Sequence, residues 1–528
     1  MAPPLLSSKN DPEKEISLLW IAVVILIGIV FRCIAWANSM IVDPDSTLYI
    51  HQAKALYFHQ WNLLTNCGLS YIANYPILIA ACYHIIPNWE ICARTNSFFF
   101  GTAVLIPLYL TLRCFLDRNI STLTTLIFAV LPLLVDRSVD VLRDSTYWFF
   151  LVSGLYFFVA RIKQENGLFL ILSSLSFLMA AWARIEAVLF FTVSFLYLLS
   201  SHRKLRNMLI FAMPILLLTL FVFMSALITD FPIKSLHRGG EIFDKFSISL
   251  HQYQNLRTEL KILAETQQND LLHLFISNAR SNIWLIALGV LINQLLEAFF
   301  YIFFIIFVIG ISDVRKKIKE DRLLIYFVIL GISALTMLYI HIVQTWIMDY
   351  RFIAVFLFPC AIFIGFGIDK IVQWLQKKIP FKVSWLLMII ASLIVISTMP
   401  KNFKPRNTDK LVFKQIGELI AKREGNQKII PISASLGTQR LISFYANLHY
   451  EGAFCPQPTE ENCWKYFLKD HKYFVQDLKE KNIKYFLWTQ RQWPKDVDLS
   501  QMLYYGNLQE LGRWNHPDTG WMILFEVL

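Results

Sequence analysis

Charged residues are scarce in this sequence: Asp, Glu, Lys and Arg together make up 16%, whereas hydrophobic residues make up 56%. This balance is typical of a membrane protein, because a bilayer span needs roughly 20 mostly apolar residues and many segments here reach that length. The net charge of +11 comes from basic residues dispersed among short loops. That distribution predicts orientation in a membrane and attraction to anionic lipid headgroups, and it argues against nucleic-acid binding, for which no sequence signature occurs.

Common metal motifs are missing as well. The sequence has eight cysteines and 11 histidines but no CxxC pair and no HExxH motif, no fixed-period repeat and no low-complexity tract. Cys455 and Cys463 can pair if their compartment oxidises thiols, which the sequence leaves open. Packing is the simplest role for the cysteines in or beside apolar segments, which are Cys33, Cys82, Cys92, Cys114 and Cys360.

The apolar segments predict a polytopic α-helical protein with about eleven spans. The first is too long for a signal-peptide core and lacks a clean cleavage site, so it is interpreted as an anchor. The segment Tyr71–Pro87 is interrupted by Asn74 and Pro76, which favours an interfacial or re-entrant position. The predicted spans are Ile16–Ala37, Thr95–Phe115, Asn119–Val135, Ser145–Ala160, Gly167–Trp182, Ala187–Leu199, Met208–Ile228, Glu297–Ile311, Leu323–Val343, Phe352–Ile368 and Val383–Met399.

Lys and Arg clusters fall in alternate loops, and cytoplasmic loops are the ones enriched in these residues. The pattern predicts an inner N-terminus and an outer C-terminus, with a membrane domain over residues 1–400 and outer loops at 38–94 and 229–282. Residues 401–528 have a mixed composition in which helical and strand-like segments alternate. This predicts a small extracytoplasmic α/β domain, with helices at Leu411–Glu424, Gln439–Asn447 and Tyr473–Lys481 and strands at Lys428–Ser433, Ile483–Trp488 and Trp521–Val527.

The first outer loop carries Asp43-Pro44-Asp45 soon after the first span. Apolar residues then recur three or four positions apart from Tyr49 to Leu64, which predicts an amphipathic helix on the outer interface. Asp45, or Ser46, suits an N-cap, where carboxylates are favoured, and a structural role of this kind is favoured more strongly for Asp43. Alternatively, Asp45 is a carboxylate at the lipid–water boundary that takes a proton from an acceptor or helps to ligate a divalent cation.

The second outer loop holds three aspartates spaced four apart, Asp136, Asp140 and Asp144, interleaved with Arg137 and Arg143. A helix would place the aspartates along one edge, and a salt-bridged helix end is one interpretation. Asp144 directly precedes a span and should lie deepest. It is therefore the second candidate functional carboxylate.

Two further arginines occur where outer loops enter spans: Arg184, two residues before Glu186, and Arg351, close to Asp349. A guanidinium in this position suits bidentate binding of phosphate. An interhelical salt bridge or snorkelling to the headgroups is the alternative. Arg184 fits either role because Glu186 can pair with it, whereas phosphate binding is the favoured role for Arg351.

The outer loop over residues 229–282 contains His237-Arg238-Gly239-Gly240-Glu241. The glycine pair permits a tight bend and close approach of a ligand. The context is not that of a nucleotide-binding loop, so we interpret the segment as a mobile, acceptor-facing loop.

The chain resembles the GT-C membrane glycosyltransferases that use polyprenyl-phosphate sugars, in the branch of protein O-mannosyltransferases and bacterial lipid A aminoarabinose transferases. The resemblance covers most of residues 16–400 and depends on the joint order and sidedness of short motifs. The sequence departs from the pattern at Ser46, where many relatives have Glu, and at Ile77, where they have a second Pro. The matching residues are Asp45 with Tyr49 and Ala53, Tyr75 with Pro76, Arg94, Asp144, Arg184 with Glu186, and Arg351.

The resemblance implies inverting transfer of a sugar from a polyprenyl-phosphate donor to an extracytoplasmic acceptor, a cell-envelope lipid or polysaccharide or a protein, at a bacterial inner membrane. Asp45 would act as the base, with Asp43 and Asp144 as further catalytic carboxylates. No cofactor is assigned, and a divalent metal is left open because Ser46 replaces an acid. The substrate-binding residues, including the arginines that hold the donor phosphate, would be Tyr49, Tyr75, Arg94, Arg184, Glu186 and Arg351.

Two other functions compete with this hypothesis. A secondary transporter or flippase would usually show repeated span groups with helices interrupted near the midplane. Here no such repeat occurs and the charges gather at one interface. A non-catalytic protein of envelope polysaccharide assembly is the third interpretation, which joint dispensability of Asp45 and Asp144 would favour.

Overall fold

The computed structural model describes residues 12–200, 204–228, 239–456, 473–495 and 508–528. The chain divides into two compact units. The first unit comprises residues 1–35, 97–139 and 143–403, and the second comprises residues 36–96, 140–142 and 404–528. The sequence predicts that residues 38–94 belong to the membrane domain. In the structure this segment lies in the same compact unit as the C-terminal residues.

The first unit is helical. By length and composition, seven helices in the described part of the chain are able to cross a membrane, or up to eight if a bent pair is one span. Three shorter apolar helices accompany them, so the polytopic helical architecture is confirmed, while the count of eleven and the orientation stay predictions. The helices are α1 (Pro12–Ala37), α4 (Trp89–Ala103), α5 (Leu105–Arg113), α6 (Arg118–Val130), α7 (Pro132–Arg137), α8 (Asp144–Gln164), α9 (Gly167–Ala183), α10 (Val188–Tyr197), α11 (Lys204–Ile228), α12 (Gly239–Thr266), α13 (Asp270–Ser281), α14 (Ile283–Ala298), α15 (Ile302–Ile311), α16 (Val314–Glu320), α17 (Leu324–Thr345), α18 (Ala354–Lys378) and α19 (Val383–Asn402), with α4 beginning in the second unit.

The structure bears on two predictions for the middle of the chain. Helices α12 and α13 occupy most of the interval 229–282, whose position on the outer side stays a prediction. The glycine pair opens α12 and does not form a tight bend, and His237 and Arg238 lie outside the described residues. The predicted span Glu297–Ile311 is broken, because α14 ends at Ala298 and α15 starts at Ile302. Phe300 and Tyr301 between them have φ of 54° and 50°, a left-handed conformation that a right-handed helix cannot contain.

The second unit contains a small sheet with helices. Strands β1 (Ile432–Ser433), β2 (Tyr485–Thr489), β3 (Leu508–His516) and β4 (Gly520–Val527) lie in the order β1-β2-β4-β3. β1 is parallel to β2, and the other two pairings are antiparallel. The predicted C-terminal α/β domain is thereby confirmed; its helices are α20 (Leu411–Glu424), α21 (Leu436–Ala446) and α22 (Phe474–Glu480).

The sequence analysis missed one strand, β3. Its side chains are mostly half-buried or exposed, and a bulge between Glu510 and Gly512 shifts its register against β4. An edge strand with a bulge lacks the strict alternation of apolar and polar residues by which a strand is recognised.

The remaining helices of this unit, α2 (Pro44–Tyr57) and α3 (Asn74–Tyr83), pack into the same core as the sheet. α3 has ten residues and is not among the candidate spans, in line with the prediction that Tyr71–Pro87 does not cross the membrane. The prediction of an amphipathic interfacial helix after Asp45 is wrong, because residues 46–55 of α2 are all buried. Its polar residues bond inside the protein instead: Gln52 Nε2, for example, donates to the carbonyls of Leu64 and Tyr71 at 2.8 Å each.

A disulfide bond joins Cys67 to Cys455, whose Cα atoms lie 5.5 Å apart. It links two segments of the second unit that are 388 positions apart in the sequence. The pairing of Cys455 with Cys463, which the sequence had left open, is therefore wrong, and Cys463 lies outside the described residues.

Candidate active site

Two groups of functional candidates emerge, one in each unit. In the first unit, α9 ends at Ala183 and Arg184 takes an extended conformation with φ of −144° and ψ of 128° before a short 3-10 turn begins. Arg184 Nη1 donates to Asp144 Oδ1 at 2.5 Å. Glu186, the partner that the sequence suggested, is more distant, at 3.4 Å from Arg184 Nη2. Arg184 is thus anchored chiefly to the first residue of α8.

A second carboxylate of the first unit lies between two arginines. Arg137, at the end of α7, donates from Nη2 to Asp349 Oδ2 at 3.0 Å. Arg351 Nε lies 3.5 Å from the same oxygen, and its backbone N–H donates to Asp349 Oδ1 at 3.0 Å. Asp349 is the N-cap of the 3-10 turn that leads into α18, so its carboxylate fixes both the turn and the guanidinium groups.

These five residues, Arg137, Arg184, Arg351, Asp144 and Asp349, are called the arginine cluster below. Its three guanidinium groups contact the two carboxylates of the cluster, and Glu186 supplies a third carboxylate 3.4 Å from Arg184 Nη2. Arg143 also lies within electrostatic range of Asp144, as do the three arginines of the cluster. Such a concentration of positive charge, largely shielded from water, favours binding of an anion.

Aromatic rings form part of the surroundings of the cluster. Arg184 lies 4.6 Å from the centroid of Phe352 and 5.8 Å from that of Tyr147, and Arg137 lies 5.1 Å from that of Tyr350. Delocalised guanidinium groups interact favourably with ring faces and tolerate a weakly hydrated environment better than ammonium groups do. The rings therefore help to keep the arginines charged and oriented where water is scarce.

In the second unit, Asp45 lies in the first turn of α2. The N-cap is Asp43, whose Oδ1 accepts from the Asp45 N–H at 3.0 Å, so the proposed capping by Asp45 or Ser46 is wrong. About half of the Asp45 side chain (45%) is exposed, and its Oδ1 lies 3.5 Å from Arg440 Nη1 of α21. A partly exposed carboxylate beside a cation is able to meet an incoming acceptor, whereas Asp43 has the role of a helix cap.

Three other predicted substrate-binding residues lie in the interior of the second unit. Tyr49 and Tyr75 pack edge to face with their centroids 5.8 Å apart, and the Tyr75 hydroxyl donates to Ala93 O at 2.8 Å. Arg94 is buried and donates from Nη2 to Glu90 Oε1 at 2.9 Å. Their burial favours a role in packing, since side chains enclosed in this way do not present a surface to substrate.

Similarity to known proteins bears on both groups. A family model described as dolichyl-phosphate-mannose-protein mannosyltransferase matches residues 74–228. The apo structure of ArnT from Cupriavidus metallidurans is similar over 98% of this chain and 98% of its own, with a TM-score of 0.57 and 11% identity. The chain therefore shares the fold of these membrane glycosyltransferases, which belong to the GT-C superfamily. At 11% identity, the structural similarity is evidence for a shared fold only.

Two structures of the Archaeoglobus fulgidus oligosaccharyltransferase share this GT-C fold. The one tethered with an acceptor peptide is similar over 96% of this chain and 74% of its own, with a TM-score of 0.58 and 11% identity. The other, in complex with an inhibitory peptide and a dolichol-phosphate, gives a TM-score of 0.50 at 11% identity over 97% and 74% of the two chains. A search by sequence finds no significant match among curated proteins.

The sequence leaves open whether this protein binds a metal ion. Within the described residues, one group of three potential ligands lies close together: Asp409, His516 and Asp518. His516 Nδ1 accepts from the Asp518 N–H at 3.1 Å, which leaves the proton of the neutral ring on Nε2, the atom that faces Asp409. A metal at Nε2 would have to displace that proton, so the arrangement does not favour coordination. Asp45 does not belong to this group.

Several charged residues of the two groups are not predicted as site residues by the sequence. Asp349 and Arg137 are two of them, although together they form one side of the arginine cluster. Arg440 gave no signal, because a single arginine in a soluble-looking helix has no distinguishing neighbours. Lys414, which lies 3.4 Å from Glu90, gave none for the same reason.

Proposed function

We propose that this protein is a glycosyltransferase that moves a sugar from a polyprenyl-phosphate donor to an extracytoplasmic acceptor, with inversion at the anomeric carbon. The arginine cluster carries the proposal, because three guanidinium groups gathered in one place suit the phosphate of such a donor. The description of the matching family names a dolichyl-phosphate sugar, and the archaeal oligosaccharyltransferase has been captured with a dolichol-phosphate. Both support a polyprenyl phosphate as the donor class.

On the donor side, Arg351 and Arg137 contact the phosphate. Both contact the carboxylate of Asp349, and the phosphate of the donor gives their guanidinium groups a further acceptor. Arg184 is bound to Asp144, which keeps its guanidinium group in one orientation. Its positive charge acts on the phosphate through electrostatic attraction. As the bond from the anomeric carbon to the phosphate oxygen breaks, the electron pair leaves with the polyprenyl phosphate. The guanidinium groups stabilise the charge that develops on it.

On the acceptor side, Asp45 is the base. The acceptor's hydroxyl or amide group attacks the anomeric carbon from the face opposite the phosphate, and its proton passes to the Asp45 carboxylate. Phosphate is a good leaving group, so positioning, charge stabilisation and one base are sufficient. Asp144 is then an electrostatic partner of Arg184 and not a second base.

The reaction is assigned to the outer side of a bacterial inner membrane. The disulfide bond between Cys67 and Cys455 supports this assignment, because disulfides persist in oxidising compartments such as the periplasm and are rare in the cytosol. The unit that contains Asp45 also contains this disulfide. The alternation of basic loops along the sequence leads to the same side.

A matched pair of substitutions tests the base. Purified protein is incubated with a panel of polyprenyl-phosphate sugars and an envelope lipid extract, and the released polyprenyl phosphate is measured by mass spectrometry. We expect Asp45→Asn to lower turnover by about 10²- to 10⁴-fold, the usual contribution of a general base. Asp43→Asn should retain activity, because Asn caps a helix as well as Asp does. Full turnover by a folded Asp45→Asn protein would exclude Asp45 as the base.

A further inference from the structure

A buried arginine lies in the first span, outside the arginine cluster. Arg32 of α1 has 0% of its surface exposed, and charged groups at such positions are rare and usually have a function. Its Nη1 donates to Gly28 O at 3.0 Å, one turn earlier in α1, and to Ala129 O of α6 at 2.9 Å. Among the described residues, no hydrogen-bond partner lies near its Nε and Nη2.

The carbonyl that Arg32 reaches belongs to a broken helix. α6 ends at Val130 because Leu131 leaves the helical conformation, with ψ of 121°, and because Pro132 has no N–H to donate. The N–H of Leu134, which would continue the helix by bonding to Val130 O, bonds to Leu131 O instead. The carbonyls of Ala129 and Val130 thereby lose their helical partners, which is costly inside a membrane.

Two side chains from other helices replace the missing donors. Arg32 Nη1 donates to Ala129 O, and Nδ2 of the fully buried Asn402 in α19 donates to Val130 O, each at 2.9 Å. Gly28 leaves room for the contact with Ala129: a Cβ at this position would lie 3.2 Å from Arg32 Nη1 and 3.3 Å from Ala129 Cβ, closer than most such contacts. The end of α6 is therefore held by hydrogen bonds from α1 and α19.

The break determines where α7 starts, and α7 has six residues, the last of which is Arg137. Six helical residues span roughly 9 Å, so a change of direction at the break moves the Arg137 guanidinium directly. We infer that Arg32 and Asn402 are positioning residues for the donor site: by holding the end of α6 they fix α7 and hence Arg137 against Asp349. The inference rests on the proposed function in one respect, that Arg137 contacts the donor phosphate.

The test uses the full-length protein in nanodiscs, with farnesyl phosphate as the probe and farnesol, which lacks the phosphate, as its matched control. Arg32→Met and Asn402→Leu should weaken farnesyl phosphate binding by about 10- to 10²-fold, the effect of a displacement of about 1 Å in a binding group. They should leave farnesol binding unchanged and raise the hydrogen exchange of backbone amides in residues 132–140. Arg32→Lys keeps a donor and should recover part of the affinity, whereas Thr336→Val removes a hydroxyl from the exposed face of α17 and should change nothing.

Variants of the donor site separate the two ideas. If Arg351→Gln and Arg137→Gln bind farnesyl phosphate normally, the proposed function fails and so does the inference. If both lose affinity while folded Arg32→Met and Asn402→Leu bind like the wild type, with unchanged exchange in residues 132–140, only the inference is overturned. The double variant Arg32→Met/Arg137→Gln should bind no more weakly than Arg137→Gln alone, and fully additive losses would also overturn it. If Arg32→Met does not fold, Asn402→Leu and Arg32→Lys serve for the same measurements.

Discussion

Asp144 and Arg184 form a buried ion pair, with 2.5 Å between Oδ1 and Nη1 and 2% and 5% of their side chains exposed. Asp144 begins α8 and Arg184 follows α9, so the pair joins two neighbouring helix ends. Burying two charges has a desolvation cost that consumes much of their attraction, whereas removing one partner leaves an uncompensated charge in the interior. The pair therefore serves mainly to orient the Arg184 guanidinium.

The ion pair predicts that the losses of stability at positions 144 and 184 are not additive. Asp144→Asn should lower the free energy of unfolding by about 3–5 kcal/mol, as should Arg184→Gln, because each leaves one buried partner unmatched. The double variant should lose less than the sum of the two single losses, since it removes both charges. Denaturant unfolding in detergent provides the measurement. The exposed pair of Asp313 with Lys370 is the control, and Asp313→Asn should leave the free energy of unfolding nearly unchanged. Additive losses at 144 and 184 would contradict the pairing.

Substitutions of Arg351 test whether the donor phosphate needs the planar guanidinium group or only a positive charge. Arg351→Lys keeps the charge but loses the planar set of donors, and Arg351→Gln loses both. We expect KM for the polyprenyl-phosphate donor to rise about tenfold in the first variant and about a hundredfold in the second, the range expected when one hydrogen bond to a charged group worth roughly 1.5–3 kcal/mol is lost. Steady-state kinetics at varied donor concentration measure this, with Arg315→Gln in the basic helix α16 as the control. An unchanged KM in Arg351→Gln would remove Arg351 from the donor site.

Much of the fold was predictable because its signals are local. The helix Leu411–Glu424 was predicted with its exact bounds, since an amphipathic pattern covers it from end to end. α2 was misjudged for the opposite reason. Its polar residues, Gln52 and Lys54 among them, are buried and bonded to carbonyls elsewhere in the chain. Their periodicity therefore does not indicate which face of the helix is exposed to solvent. Tertiary contacts of this kind are not visible in a pattern of hydrophobicity.

The candidate site was predictable where sequence neighbours reveal it. Arg351 and Asp144 lie at the starts of apolar spans, a position that can be recognised in the amino-acid sequence. The pairing of Asp144 with Arg184, 40 residues away, depends on how α8 and α9 are packed, and Glu186 was the nearer guess along the chain. The same limit applied to Cys67, whose partner lies 388 positions away.

The disulfide bond gives a chemical test of the second unit. Protein purified without reductant should show Cys67 and Cys455 protected from a maleimide, and both should react after reduction and unfolding; peptide mapping by mass spectrometry identifies them. Cys67→Ser should free Cys455 for labelling and lower stability by about 2–5 kcal/mol, the usual loss for a native disulfide. The cysteines without a disulfide among the described residues provide the labelling control, because in the unfolded protein they should react equally before and after reduction. Labelling of Cys455 in the untreated protein would show that the bond is absent and would remove its support for an outer location.

Lys54 makes stability depend on pH. Its ammonium group donates to Leu448 O at 3.1 Å and Tyr450 O at 2.7 Å, and burial lowers the pKa of this lysine from 10.5 to about 7. Between these values the unfolded chain binds a proton that the folded protein does not. The free energy of unfolding should therefore rise with pH above about 7, by up to about 1.4 kcal/mol per unit, and level off near 10.5. Lys54→Met should lack this rise. Unfolding midpoints of both proteins between pH 6.5 and 9.5 test it, and parallel curves would mean that Lys54 titrates at its ordinary pKa.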